Sequence, residues 1–94
     1  MALNHQNYTL SNITSTIITI DSGDTALPAM DMSIQNLSST AFVYIGNSSV
    51  SSTNFGFRID PGAVLSIDRV MWKDEIYAIA DTNNSAIAVI RLDR

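Results

Sequence analysis

The chain has 94 residues, no cysteine and a formal net charge of −4. Domains usually hold about 100–150 residues, so we expect a single domain over residues 1–94 with a modest core. Without cysteine, the chain has neither disulfides nor thiolate metal ligands. Five basic residues against nine acidic ones, with no basic cluster, exclude the charge pattern that nucleic-acid binding requires.

The polar composition favours strands joined by turns. Ser, Thr and Asn supply 28 of the 94 residues, whereas Glu and Lys, which are common on helix surfaces, occur once each. No segment approaches the roughly 20 apolar residues that cross a bilayer, so no membrane partner is expected. The first six residues lack the basic start and apolar stretch of a secretory signal. We therefore expect synthesis in a cytoplasm.

The first third of the chain predicts two strands after a polar start. Residues 1–12 are polar with three isolated apolar side chains, and they predict an N-terminal arm or an irregular edge strand. Residues 13–20 are dense in Ile and Thr, which is typical of a strand. Turn-forming residues follow as far as Pro28, and residues 32–37 predict the next strand.

The remaining chain predicts a series of short strands separated by turns. A polar loop covers residues 46–54, a Pro-Gly turn covers residues 60–62, and residues 69–75 predict a loop or a single helical turn. Strands are expected at residues 41–45, 55–59, 63–68, 76–80 and 86–92. This spacing predicts an all-β fold, either a β-sandwich or a jelly-roll-like small barrel of six to eight short antiparallel strands.

Three of these strands are apolar on both faces, namely those within residues 41–45, 76–80 and 86–90. Only one face of each sheet can contact the core of so small a sandwich, and a solvated second face should be polar. The second face needs a loop, the N-terminal segment or another subunit to cover it, and we favour another subunit. The residues predicted to form such an interface are Tyr8, Leu10, Phe42, Tyr44, Trp72, Tyr77, Ile79, Ile87 and Val89.

The sequence offers little catalytic chemistry. His5 is the only histidine, so one chain has neither a Ser-His-Asp triad nor a multi-histidine metal site. Residues 21–24 with Asp31 carry oxygen ligands, but they lack the frame of an EF-hand loop and are better explained as a turn. Asp74 and Glu75 are adjacent in sequence. The side chains of adjacent residues on an extended chain point to opposite sides, so these two do not form a pair of catalytic carboxylates. We expect no enzyme, with no catalytic residue, metal or cofactor.

Trp72 is the only tryptophan and has charged neighbours. A place in the core is the favoured interpretation, followed by an interface anchor, because tryptophan is enriched in binding hot spots. A sugar-stacking platform with Tyr44 and Tyr77 is the third.

Residues 34–92 carry an ordered pattern of turns and strands. An Asn-x-Ser turn begins at Asn36, Val-Tyr-Ile-Gly follows at residues 43–46, and a Ser/Thr loop leads to Pro-Gly at residues 61–62. Ile-Tyr-Ala-Ile-Ala at residues 76–80 precedes a short terminal strand. This pattern resembles the small β-sandwich virion structural proteins of tailed bacteriophages.

The resemblance implies a non-enzymatic capsid cement or decoration protein. Such a protein would bind the major capsid protein or another virion protein on the outer capsid surface, self-associate with a trimer favoured, and be found in the virion after synthesis in the host cytoplasm. The alternative is a tail or head-fibre component that acts as a host-attachment or carbohydrate-binding module. If residues 1–12 form an arm, their deletion should weaken assembly more than folding.

Overall fold

The computed structural model of the chain describes residues 3–19, 29–71 and 75–93. These residues form strands and no helix, which confirms the all-β fold. Accordingly, no helix long and apolar enough to cross a membrane occurs among them. The strands are β1 (Leu3–Leu10), β2 (Thr16–Ile17), β3 (Ala29–Asn36), β4 (Val43–Gly46), β5 (Phe57–Ile59), β6 (Val64–Met71), β7 (Tyr77–Ala80) and β8 (Ser85–Asp93).

The strands form two antiparallel sheets of four. Sheet A has the order β1-β8-β3-β6, and sheet B has the order β2-β7-β4-β5. The first strand therefore pairs with the last, the second with the seventh, the third with the sixth, and the fourth with the fifth. A long antiparallel ribbon that folds over itself gives this order, which is the jelly-roll form of the β-sandwich.

Alternation along the strands divides core residues from surface residues. In β8, Ile87 and Val89 are buried, while Ile90 on the opposite side is 38% exposed. The regular pattern predicted for residues 63–68 is confirmed, because Leu65 and Ile67 pack against the core. The core consists of Leu10, Ile18, Met32, Ile34, Val43, Ile45, Ile59, Val70, Ala78, Ala80, Ile87 and Val89.

The N-terminal region differs in detail from the prediction. Of the two alternatives predicted for residues 1–12, an arm or an irregular edge strand, the fold has an edge strand, and this strand pairs regularly with β8 over all eight of its residues. The strand predicted over residues 13–20 is reduced to Thr16–Ile17. The hydroxyl of Ser11 accepts hydrogen bonds from the backbone N–H groups of Ile13 and Thr14 at 2.9 and 3.2 Å. This side-chain turn competes with strand pairing and lets the chain pass between the two sheets.

β6 is longer than the sequence predicted. It continues to Met71, so residues 69–71 are part of a strand rather than of the expected loop or helical turn, and residues 72–74 lie outside the described residues. The pairing of β6 with β3 shifts register between Met30 and Met32. Such a bulge bends and twists an edge strand.

Two tight turns have the backbone that their residues favour. Gly62 has a φ of 75°, and the N–H of Ala63 donates to the carbonyl of Asp60 at 2.9 Å. This is a type II turn, with Pro at its second position and Gly at its third, which confirms the turn predicted at residues 60–62. The turn before β8 places Asn84 at a φ of 64°, a conformation that asparagine tolerates better than most residues.

Candidate interaction surface

The outer face of sheet B gathers four of the residues predicted to form an interface. In β4 and the residue before it, Phe42 and Tyr44 alternate with buried core residues, and in β7 the same holds for Tyr77 and Ile79. Tyr44 lies directly across from Ile79 in the β4–β7 ladder. Because alternate side chains of a strand share one face, these four lie together on the side of sheet B that faces away from the core.

Beside them, aromatic rings and one cation form a compact surface group. The rings of Tyr44 and Phe55 have centroids 4.9 Å apart and are tilted by 44°. The guanidinium carbon of Arg58 lies 4.7 Å from the centroid of the Phe42 ring. We call Phe42, Tyr44, Phe55 and Arg58 the aromatic patch. Ring–ring and cation–π contacts of this kind favour defined positions of the side chains.

Arg58 joins the patch to the neighbouring turn. Its Nε donates to a carboxylate oxygen of Asp60 at 3.2 Å, and both side chains are at least half exposed. An exposed ion pair adds little stability, since water screens it. The pair does orient the guanidinium above Phe42, and half of the Arg58 side chain stays exposed.

The loop between β4 and β5 carries Phe55 onto this surface. The N–H of Gly56 donates to the carbonyl of Ile45 at 2.8 Å, and Ser51 and Asn54 form a small antiparallel bridge. A Cβ atom on Gly46 would lie 3.1 Å from Cγ2 of the buried Val50, which is a close contact that a larger residue could form only if the Val50 side chain moved slightly. The loop is therefore a packed structure, and Phe55 is 45% exposed at its end.

The side chain of Ile79, on the outer face of β7, is buried without a second subunit. Ile79 is only 5% exposed in the single chain, although it points away from the core. The inference that apolar second faces need another subunit therefore fails at this position. Phe42, Tyr44 and Tyr77 are half-buried and keep some surface for a partner.

The other predicted interface residues do not lie on this face. Leu10, Ile87 and Val89 have at most 2% of their surface exposed and belong to the core, so they offer no surface to a partner. Tyr8 packs against the core, and its hydroxyl donates to Oε1 of Gln6 at 3.1 Å and accepts a hydrogen bond from Arg91. Trp72 lies outside the described residues.

Only two of the acidic residues considered for chemistry lie in the described part of the chain. Residues 21–24 and Asp74 fall outside the described part of the chain, whereas Glu75 is exposed and Asp31 is half-buried in β3. His5 is exposed on the outer face of sheet A. Within residues 3–19, 29–71 and 75–93, no group of three or more His, Asp or Glu side chains is placed to hold a metal ion.

Sequence reasoning missed a shallow depression on the outer face of sheet A. Its volume is about 280 Å³, and small Ala88 lies among longer side chains of the adjoining strands. The lining residues are His5, Asn7, Ser33, Gln35, Val64, Ala88, Val89 and Ile90. The sequence shows polar residues at alternate positions of β1 and of β3. It does not show that both strands lie beside β8, and the depression depends on that strand order.

Phe55 and Arg58 were also missed as members of the interaction surface. Both belong to segments whose partners are distant in sequence, and only the fold brings them beside Phe42 and Tyr44.

Comparison of the chain with protein-family models, with curated proteins and with solved structures gave no match. The bacteriophage resemblance therefore stays a prediction from the sequence pattern.

Proposed function

We propose that this protein is a non-enzymatic structural protein of a bacteriophage virion that binds the outer capsid surface through the aromatic patch and stabilises the shell. The observation that carries the proposal is the patch itself, with two rings in tilted contact, a cation above a third ring, and the exposed side chains of Phe55 and Arg58. Aromatic and arginine side chains dominate the binding energy of protein interfaces. A capsid repeats its surface many times, so a modest interface suffices for stable attachment.

The fold and the sequence pattern add support of a weaker kind. Jelly rolls are common in viral capsid proteins and lectins, although a fold alone does not determine function. The pattern of residues 34–92 resembles small virion proteins. Self-association with a trimeric state stays a prediction of that resemblance alone.

Particles that lack the protein provide the test. We expect such particles to lose integrity at lower temperature, and added wild-type protein to restore their resistance. Phe55→Ser and Arg58→Glu should weaken particle binding about tenfold or more, the scale of an interface hot spot. Both side chains are exposed, so these changes should leave folding intact.

Val64→Ser is the matched control. Val64 is 58% exposed on the outer face of sheet A, so its replacement removes a similarly exposed apolar side chain from the opposite sheet. Unchanged binding is expected for this variant. If the protein fails to bind particles, or if Val64→Ser weakens binding as much as Phe55→Ser, the proposal is wrong.

A second candidate is a carbohydrate-binding module in a tail or head fibre. Phe55 and Phe57 are 45% and 49% exposed near one loop, and exposed rings stack on sugars. A glycan array with wild-type protein and the Phe55→Ser variant distinguishes this function from capsid binding. Saturable glycan binding that the variant loses would favour the module, and an array without hits would remove it.

A further inference from the structure

Within the described part of the chain, the outer edge of β1 is a free strand edge. β1 pairs with β8 on one side, and no described residue pairs with its other side. The strand has eight residues, and none of them is Asp, Glu, Lys, Arg, Pro or Gly. Soluble proteins usually blunt such edges, because free N–H and C=O groups attract another strand.

The other three sheet edges of the described fold are protected. β2 has two residues and β5 has three, so neither offers a long ladder. β6 is long, but its pairing with β3 contains a register shift, and its sequence includes Asp68 and Arg69. Short strands, bulges and charges are the usual means of blocking edge-to-edge pairing. β1 alone has none of them.

We propose that β1 pairs with β1 of a second copy of this chain. The two strands would run antiparallel across a two-fold axis and join the two sheets A into one continuous sheet of eight strands. The interface is isologous, since each copy contributes the same strand.

The ladders of sheet A indicate which groups face the free edge. The N–H of Leu37 donates to the carbonyl of Ala86, so Ala86 directs its backbone polar groups toward β3. Backbone groups alternate sides along an antiparallel strand, so Ile87 directs its groups toward β1, where it lies across from Tyr8. Even-numbered residues of β1 therefore bond to β8. The odd-numbered residues Leu3, His5, Asn7 and Thr9 direct their N–H and C=O groups to the free edge.

One register satisfies all four of these residues. It places His5 across from the partner's Asn7 and Leu3 across from the partner's Thr9, and the two-fold axis repeats both contacts. The side chains of these odd-numbered residues share the outer face of sheet A, where they are exposed and do not contribute to the core.

The charge and the length of β1 favour a second copy of this chain as the partner of its free edge. Two identical uncharged strands meet no like-charge contact along the seam, although each whole chain carries a net charge of −4. Equal length also leaves no free edge group within the four matched pairs.

Two double variants test the interface and its register. In His5→Lys with Asn7→Lys, the proposed register sets two lysines directly across from each other twice. In His5→Lys with Asn7→Glu, it sets lysine across from glutamate twice. We expect wild type to have the mass of two chains in sedimentation equilibrium. The lysine pair should raise the dissociation constant about tenfold, and the lysine–glutamate pair should preserve or tighten the dimer.

Val64→Lys with Ser66→Lys is the matched control, because it places two lysines at the same spacing on the exposed side of β6. The dimer should persist in this variant, and circular dichroism confirms that every variant is folded. A wild-type monomer or trimer would overturn the proposal. So would equal weakening by the two β1 variants, or weakening by the β6 control as large as that by the lysine pair.

Discussion

The side chain of Asn36 is fully buried, and its amide bonds to three backbone groups. Nδ2 donates to the carbonyl oxygens of Ala41 at 2.8 Å and Ile59 at 3.1 Å, and Oδ1 accepts from the N–H of Ser38 at 3.0 Å. The amide thus fixes the passage from β3 to β4 against the end of β5. A buried polar side chain stabilises a fold when all of its bonding groups are satisfied, as they are here.

We expect Asn36→Ala to lower the free energy of unfolding by about 3 kcal/mol, because two buried carbonyls and one N–H lose their partner. Asn36→Asp should be similarly harmful, since an ionised carboxylate cannot donate to either carbonyl. Urea unfolding measures both changes. The control is Gln35→Ala at the neighbouring exposed position, which should change stability by no more than about 0.5 kcal/mol. Equal effects at positions 35 and 36 would contradict the proposed role.

Arg91 and Tyr8 form a second buried polar group. Arg91 is 2% exposed, and its Nε and Nη2 donate to the carbonyl of Ile18 at 3.2 and 2.6 Å. Nη2 also donates to the hydroxyl of Tyr8. These bonds join β8 of sheet A to the segment that follows β2 of sheet B.

Tyr8→Phe tests whether Tyr8 acts within the chain or at an interface. The variant should lower the free energy of unfolding by about 1–2 kcal/mol, because the hydroxyl bonds to Arg91 and Gln6 are lost. The association state should not change, since the hydroxyl does not face the outer edge of β1. Urea unfolding and sedimentation equilibrium check the two outcomes separately. A change in association at unchanged stability would instead assign Tyr8 to an interface, as the sequence suggested.

The two turns with positive φ angles make an element-level comparison possible. A Cβ atom added to Gly62 would meet nothing within 4 Å, so the cost of Gly62→Ala is that of its left-handed backbone alone. We expect a loss of about 1 kcal/mol in the free energy of unfolding. Asn84→Gly is the counterpart and should be neutral or slightly stabilising, since glycine adopts this conformation more readily. Thermal unfolding of both variants measures the difference, and a neutral Gly62→Ala would contradict the turn assignment.

At the level of the strands, the sequence predicted where strands and turns lie better than which strands pair and which of their faces are buried. Alternation in residues 63–68 and the Pro-Gly turn are local signals, and the fold bears out both. The strand predicted over residues 13–20 is shorter because the side chain of Ser11 forms a turn, which a count of β-branched residues does not reveal. Which face of β8 is buried depends on the neighbouring strands, so the sequence assigned Ile87 and Val89 to an interface, whereas they lie in the core.

The candidate surface was predictable only in part, for the same reason. Phe42, Tyr44, Tyr77 and Ile79 follow from strand periodicity once the buried face is known. Phe55 joins them through the conformation of a ten-residue loop, and Ile79 is only 5% exposed in the folded chain. Neither effect has a local sequence signal.

In the whole molecule, the pairing order makes the ends of the chain depend on each other. The outermost pair of the folded ribbon is β1 with β8, which joins residues near both ends, and the innermost is β4 with β5. Such non-local pairing slows folding, because large loops must close before the contacts form. It also means that β1 is an integral part of sheet A.

Deletion of residues 1–12 should therefore abolish cooperative unfolding, in contrast to the effect expected of a detached arm. The deletion removes the whole β1–β8 ladder and the core side chain of Leu10, which is 1% exposed. Burial of one leucine contributes about 1.5–3 kcal/mol, and a small domain has only about 5–15 kcal/mol in total. Urea titration followed by far-UV circular dichroism measures the result. The edge variant His5→Lys with Asn7→Lys is the control, since it keeps the ladder and should still unfold cooperatively. A truncated chain that unfolds cooperatively with a stability close to wild type would show that β1 acts in assembly rather than in folding.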